Sequence, residues 1–220
     1  MKTIKILLWI VSAVLLGLSA TSANEPYRVG TTAANFLEIG FGSSGPAMGD
    51  AAVASVEDLS AVYWNPARLP YLRQNEAQFM YQPWIAGINT SFSAFGFNLQ
   101  NLGTLAFGLY QVSYGDMKVT TMEQQDGTGE MYSANDLAFT LSYGRKLAQW
   151  FSFGASVKYI SEKIWHSNAS ALAFDLGMVV DTDFFSPTQE RADGLTIGMS
   201  ICNYGTKLKF EGMDLLQPID

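Results

Sequence analysis

Several stretches of this sequence carry residue types at spacings that chemistry uses. Gly40-x-Gly42-x-x-Gly45 has the glycine spacing of a dinucleotide loop, in which bare backbone wraps a pyrophosphate at a helix N-terminus. That loop works only between a strand and a helix of a βαβ unit. No parallel α/β pattern follows here, so no nucleotide site is expected. Gly42-Ser43-Ser44-Gly45 falls one residue short of the nucleophile elbow G-x-S-x-G. A triad there would also need His166, the sole histidine, from the distant polar stretch 161–170. Asp181-Thr182-Asp183 and Asp126-Gly127-Thr128-Gly129-Glu130 gather carboxylates without the ligand spacing of a calcium loop, and read as solvated turns. One Cys, Cys202, and one His exclude a disulfide framework and a zinc site of several Cys or His ligands. No catalytic, cofactor or metal residues are expected, and the chain does not read as an enzyme.

Lys158 and Asp175 are charged residues inside apolar, alternating segments. They are expected to line a lumen, with Asp175 paired either to Lys158 or to a residue of the N-terminal segment. The elements that must hold them show a period of 2. Leu137, Phe139, Leu141 and Tyr143 alternate with Ala138, Thr140, Ser142 and Gly144. The same holds around Leu105–Leu109, Phe151–Tyr159, Leu172–Val180 and Leu195–Ile201. Side chains of a strand point to opposite sheet faces in turn, so each segment has one large apolar face and one small face.

A soluble sandwich would bury the apolar face and need a charged outer one. A transmembrane barrel turns the apolar face to lipid and the small one to a lumen. The small faces hold Ser, Thr, Gly and Ala with only Asp136, Lys158 and Asp175 charged, too bland for a solvated exterior. Composition agrees: 48% hydrophobic and only 15% Asp, Glu, Lys and Arg over 220 residues, where a soluble domain has about 25% charge. A net charge of −7 argues against a nucleic-acid partner, which would need a basic patch. The expectation is all-β: an antiparallel transmembrane β-barrel, partial, of about seven strands of some 9–11 residues each. Two weaker segments, 78–84 and 88–99, begin the series. Long polar stretches at 115–135 and 161–170 read as loops, with short turns at 100–101 and 146–149.

Lys2 and Lys5, the uncharged apolar stretch 6–18 and the small residues 19–23 form a secretory signal peptide over 1–23. The protein is therefore expected to be exported. Residues 24–75 form a Gly-rich segment that reads as a small hatch folded into the lumen, and 76–220 the N-terminal half of the barrel. Asp58 caps a short helix over 59–64, and Asn65-Pro66 ends it. Seven strands leave an open edge, which lipid does not tolerate, and the polar tail around Pro218 is no strand. Truncation of a longer barrel is expected, ahead of pairing with other chains.

Phe36-Leu37-x-Ile39-Gly40, Ala47-Met48-Gly49 with Ala51 and Ala54, and Ser60-Ala61-Val62-Tyr63-Trp64-Asn65-Pro66-Ala67 resemble the N-terminal signature of the PorV/PorQ family. Tyr114-Gly115-Asp116-Met117 and Asn203-Tyr204-Gly205 are similar to that family too. The resemblance implies an outer-membrane barrel related to the FadL-type transporters, with Trp64, Asn65, Pro66 and Ala67 as a structural or gating hatch motif. It implies a place in type IX protein secretion, with partners in outer-membrane lipid, secreted proteins bearing a C-terminal sorting domain, and other secretion components. FadL-type relatives imply a second role, a channel for hydrophobic small molecules. Members are longer, with about fourteen strands in the resemblance, and have Gly where Arg68 stands, which would strain a positive φ.

Overall fold

A computed structural model describes residues 34–212. The signal segment 1–23 and the tail around Pro218 lie outside the described residues.

Alternation builds the fold. The strands are β1 (Glu76–Pro83), β2 (Asn89–Asn98), β3 (Thr104–Lys118), β4 (Met131–Ala148), β5 (Phe151–Ile164), β6 (Ser167–Asp181), β7 (Thr196–Gly205) and β8 (Glu211–Gly212). They form one all-antiparallel sheet in the order β1-β2-β3-β4-β5-β6-β7, with β8 against the start of β6. The sheet is open, as part of a barrel would be, and the chain is all-β as expected. No helix among the described residues is long and apolar enough to cross a membrane.

The seven expected strands are present as β1 to β7 with a short eighth beside them, and three details differ from expectation. The eighth strand, β8, is two residues long and has no alternation by which to recognise it. β3 to β6 run 14 to 18 residues, beyond the 9–11 that alternation marked. Their polar ends stay in the ladder because neighbours supply hydrogen bonds whatever the side chain. Asp116 thus pairs Ser133, and Asn135 pairs Lys163. For the same reason the stretch 161–170 is no loop: β5 and β6 continue through it, and only Trp165 and His166 turn the chain. The loop expected at 115–135 shrinks to 119–130, with Gly115 at φ 73 beside a bulge in β3.

The large side chains face outward. Phe139, Leu141, Tyr143, Val157, Phe174 and Leu176 are all exposed. The opposite face of small residues is covered by the helical segment before β1. That segment holds α1 (Ser44–Ala47), α2 (Ala61–Trp64) and 3-10 turns at Asn35–Glu38 and Pro66–Tyr71. Phe36, Phe41, Leu59, Val62, Trp64 and Leu69 bury themselves there against Phe92, Ala94, Ala106 and Tyr110 of the sheet. Each large apolar side chain buried this way contributes about 1.5–3 kcal/mol. The segment and the sheet belong to one compact unit.

Candidate functional site

The site begins at a helix end. Asp58 Oδ1 accepts the Ser60 N–H at 2.8 Å and the Ser60 hydroxyl as well, starting the turn that leads into α2. Asn65 stops it, because Pro66 holds the preceding residue extended, at φ −165 and ψ 107. The helix expected over 59–64 is two residues shorter.

Asn65 is fully buried and uses both ends of its amide. Its Oδ1 accepts from Ala67 N–H at 3.0 Å, while Nδ2 donates to Val53 O at 2.8 Å and Met178 O at 3.3 Å. One side chain thus caps the Pro66–Tyr71 turn, ties back to the preceding loop and fastens the segment to β6. Pro66 and Ala67 then lie against β4, β5 and β6, where Gly144, Gly154 and Gly177 leave room. A Cβ at Gly144 would stand 2.5 Å from Pro66 O, and one at Gly177 or Gly154 would overlap Asn65 or Pro66 outright. Ser152 Oγ donates to Ala67 O at 2.9 Å. The small faces of these strands are a seat for backbone.

Trp64 explains the Gly40-x-Gly42-x-x-Gly45 spacing. Its indole fills the space where Gly40 and Gly45 lack side chains, with a Cβ at Gly45 falling 2.5 Å from Cζ2. Its Nε1 donates to Phe41 O at 2.7 Å, and Gly42 takes φ 85. The glycines cradle an indole. Ser43 and Ser44 sit exposed at the start of α1.

Arg68 takes ordinary 3-10 backbone with no positive φ, so the strain implied by Arg at this position does not arise. Its side chain is buried, with Nε donating to Val56 O at 2.7 Å. Tyr71 closes the turn: its hydroxyl donates to Asp181 Oδ2 at 2.7 Å, and Thr196 Oγ1 donates to Asp181 Oδ1 at 2.9 Å. Burial, then the bond to Asp181, pushes the Tyr71 phenol up to about 12. Asp181 is therefore no solvated turn residue. Sequence reasoning missed Arg68, Tyr71 and Asp181 as one cluster, and no local signal joins positions so far apart.

Lys158 and Asp175 are both buried on the face covered by the N-terminal segment, with Lys158 Nζ 2.8 Å from Asp175 Oδ2. That oxygen has no aligned hydrogen-bond donor, so the contact is ionic. Lys158 Nζ also donates to Asn203 Oδ1 at 2.8 Å, and the Asn203 N–H donates to Asp175 Oδ1 at 2.7 Å. Asn203, at φ 58, stands where the β6–β7 register shifts. Of the two partners expected for Asp175, the strand lysine is the one found.

The other candidates stay apart. His166 stacks near Trp165 in the β5–β6 turn, with ring centroids 4.3 Å apart. Cys202 is exposed on β7. Among the described residues no group of three or more His, Cys, Asp or Glu is placed to hold a metal ion.

The family described as type IX secretion system protein PorV matches residues 21–217, and the chain belongs to that family. No curated protein and no solved structure matches it significantly.

Proposed function

We propose that this member of the PorV family is an outer-membrane β-barrel protein that carries secreted cargo within type IX secretion. The family match over residues 21–217 is the observation that carries this reading. The outward apolar face of the sheet supports the membrane placement, since lipid is the solvent such a face suits. In this reading residues 1–23 are a cleaved export signal, 24–75 the hatch and 76–220 the barrel portion. Trp64, Asn65, Pro66 and Ala67 hold or gate the hatch, and Lys158 and Asp175 line the lumen. Its partners are outer-membrane lipid, secreted proteins with a C-terminal sorting domain, and other components of the secretion system. Affinity purification of the tagged protein from its native cells tests this. Recovery of several secreted proteins sharing one C-terminal domain is the expected result. Their absence, with secretion unchanged on deletion of the gene, would sink it.

A FadL-like channel for hydrophobic solutes is the second reading. It is favoured by the way the Pro66–Tyr71 turn crosses β3, β4, β5 and β6 like a stopper. Liposomes holding the protein would then take up an apolar dye, faster when the hatch is loosened by Gly154→Val.

A further inference from the structure

Thirteen Lys and Arg stand against twenty Asp and Glu in this chain, yet three of the cations converge on one cleft. It has a volume of about 550 Å³ and lies where the β4–β5 turn and the β6–β7 loop meet the end of the Pro66–Tyr71 turn. Arg68, Lys146 and Arg191 line it, from the hatch segment, β4 and the β6–β7 loop respectively.

Two of these charges share one aromatic ring. The Arg68 guanidinium carbon lies 4.0 Å from the centre of the Tyr71 ring and Lys146 Nζ lies 3.7 Å from it. The ring face attracts each cation, yet two like charges held at one ring also repel each other. The local carboxylates answer this only in part. Asp181 and Glu57 line the cleft as well, so two negative charges stand against the three positive ones. Glu57 reaches Arg68 at 3.7 Å, but its side chain is 82% exposed, where an ion pair contributes little. Neither Lys146 nor Arg191 has a carboxylate within ion-pair distance among the described residues. The Arg68 Nε is committed to Val56 O and one terminal nitrogen lies 3.7 Å from Glu57, which fixes the guanidinium plane at the cleft wall.

We infer that this cleft binds a small soluble ligand through an oxyanion group, a carboxylate or a phosphate, held by Arg68, Lys146 and Arg191. A planar guanidinium fixed by its own backbone bond is a preset donor for an oxyanion. The two flexible cations close on the remaining oxygens, and the excess of positive over negative charge favours anions in the cleft. Because the three side chains come from hatch, strand and loop, the bound anion ties these elements together. The inference stands whether the barrel carries cargo or solutes.

Isothermal titration of the full chain in detergent micelles tests it, with inorganic phosphate, N-acetylglycine and N-acetylglycinamide as probes. Arg68 also holds the hatch loop, so substitutions are confined to exposed Lys146 and Arg191. Saturable binding of phosphate or of N-acetylglycine, with none of the neutral amide, is expected. Tighter phosphate binding marks a phosphorylated ligand and tighter N-acetylglycine a carboxylate. The double variant Lys146→Gln/Arg191→Gln weakens binding about tenfold or more, as loss of charge-assisted bonds requires. Lys118→Gln, at the opposite end of the strands, leaves it unchanged. The inference is overturned if neither anion saturates, if the amide binds as the acid does, or if the double variant binds like the parent.

Discussion

Asn65 shows how much one amide can hold. It donates to two carbonyls of distant chain segments and accepts from Ala67. Asn65→Asp keeps an acceptor but sets a carboxylate against the Val53 and Met178 carbonyls. Each unmet buried partner costs about 1–3 kcal/mol, so a lower urea midpoint and faster proteolysis within 34–72 are expected. Gly177→Ala acts on the same contact from the strand, since its Cβ would overlap Asn65 Oδ1. Overpacking of that kind costs about 1–3 kcal/mol. The Lys158–Asp175 pair calls for a cycle instead. Removing one partner of a buried pair costs about 3–5 kcal/mol because the other charge is stranded, whereas an apolar replacement of both is far milder. Lys158→Met and Asp175→Leu should each lower the unfolding midpoint sharply, and the double variant should recover most of that loss. A double variant as unstable as the sum of the singles would show that the pair does not act as a unit.

At the scale of elements, the Pro66–Tyr71 turn is fastened at both ends, by Asn65 and by Tyr71. The Tyr71 fastening is titratable. A folded phenol raised from 10.0 to about 12 favours the protonated form, so its contribution is fully present below pH 10 and is lost as pH rises through the folded value. Tyr63, whose hydroxyl donates to Leu37 O at 2.7 Å, is raised in the same direction by burial. Proteolysis within 34–72 should therefore speed up above pH 10, and Tyr71→Phe should flatten part of that rise. The strands that receive the turn were legible in the sequence because alternation is local. Leu137 to Gly144 alone declares which side chains face the N-terminal segment. Strand ends were not legible, since Met131 to Asn135 pair through backbone and carry no pattern. Asn65-Pro66 announced the break after α2, again a local effect. The seat at Gly154 and Gly177 was not announced, because it joins Asn65 to Met178, 113 positions away. Glycines recurring on the small face of successive strands were the available signal: they mark where another backbone must approach.

For the whole molecule, the sheet has an inside and an outside of opposite character to a soluble sandwich. Apolar side chains stand exposed along β2 to β7, and the covered face is built from alanine, serine, glycine and a few paired charges. Such a sheet is stable in lipid only if its edges are closed, because each backbone N–H or C=O left open in hydrocarbon costs several kcal/mol. Among the described residues β1 pairs only with β2, and β7 only with β6. Side chains on β1 show the same outward bias as the interior strands, with Phe79 and Tyr81 exposed and Met80 packed inward, so β1 is shaped as a strand within a barrel wall. Further strands are therefore expected to flank both edges in the membrane. Hydrogen exchange of the protein in its native membrane reads this directly. Amides of β1 and β7 that point away from their known neighbours should be protected to the same degree as those of β4 and β5. Fast exchange confined to those two rows of amides would mean that the edges stay open and that the membrane-barrel reading is wrong.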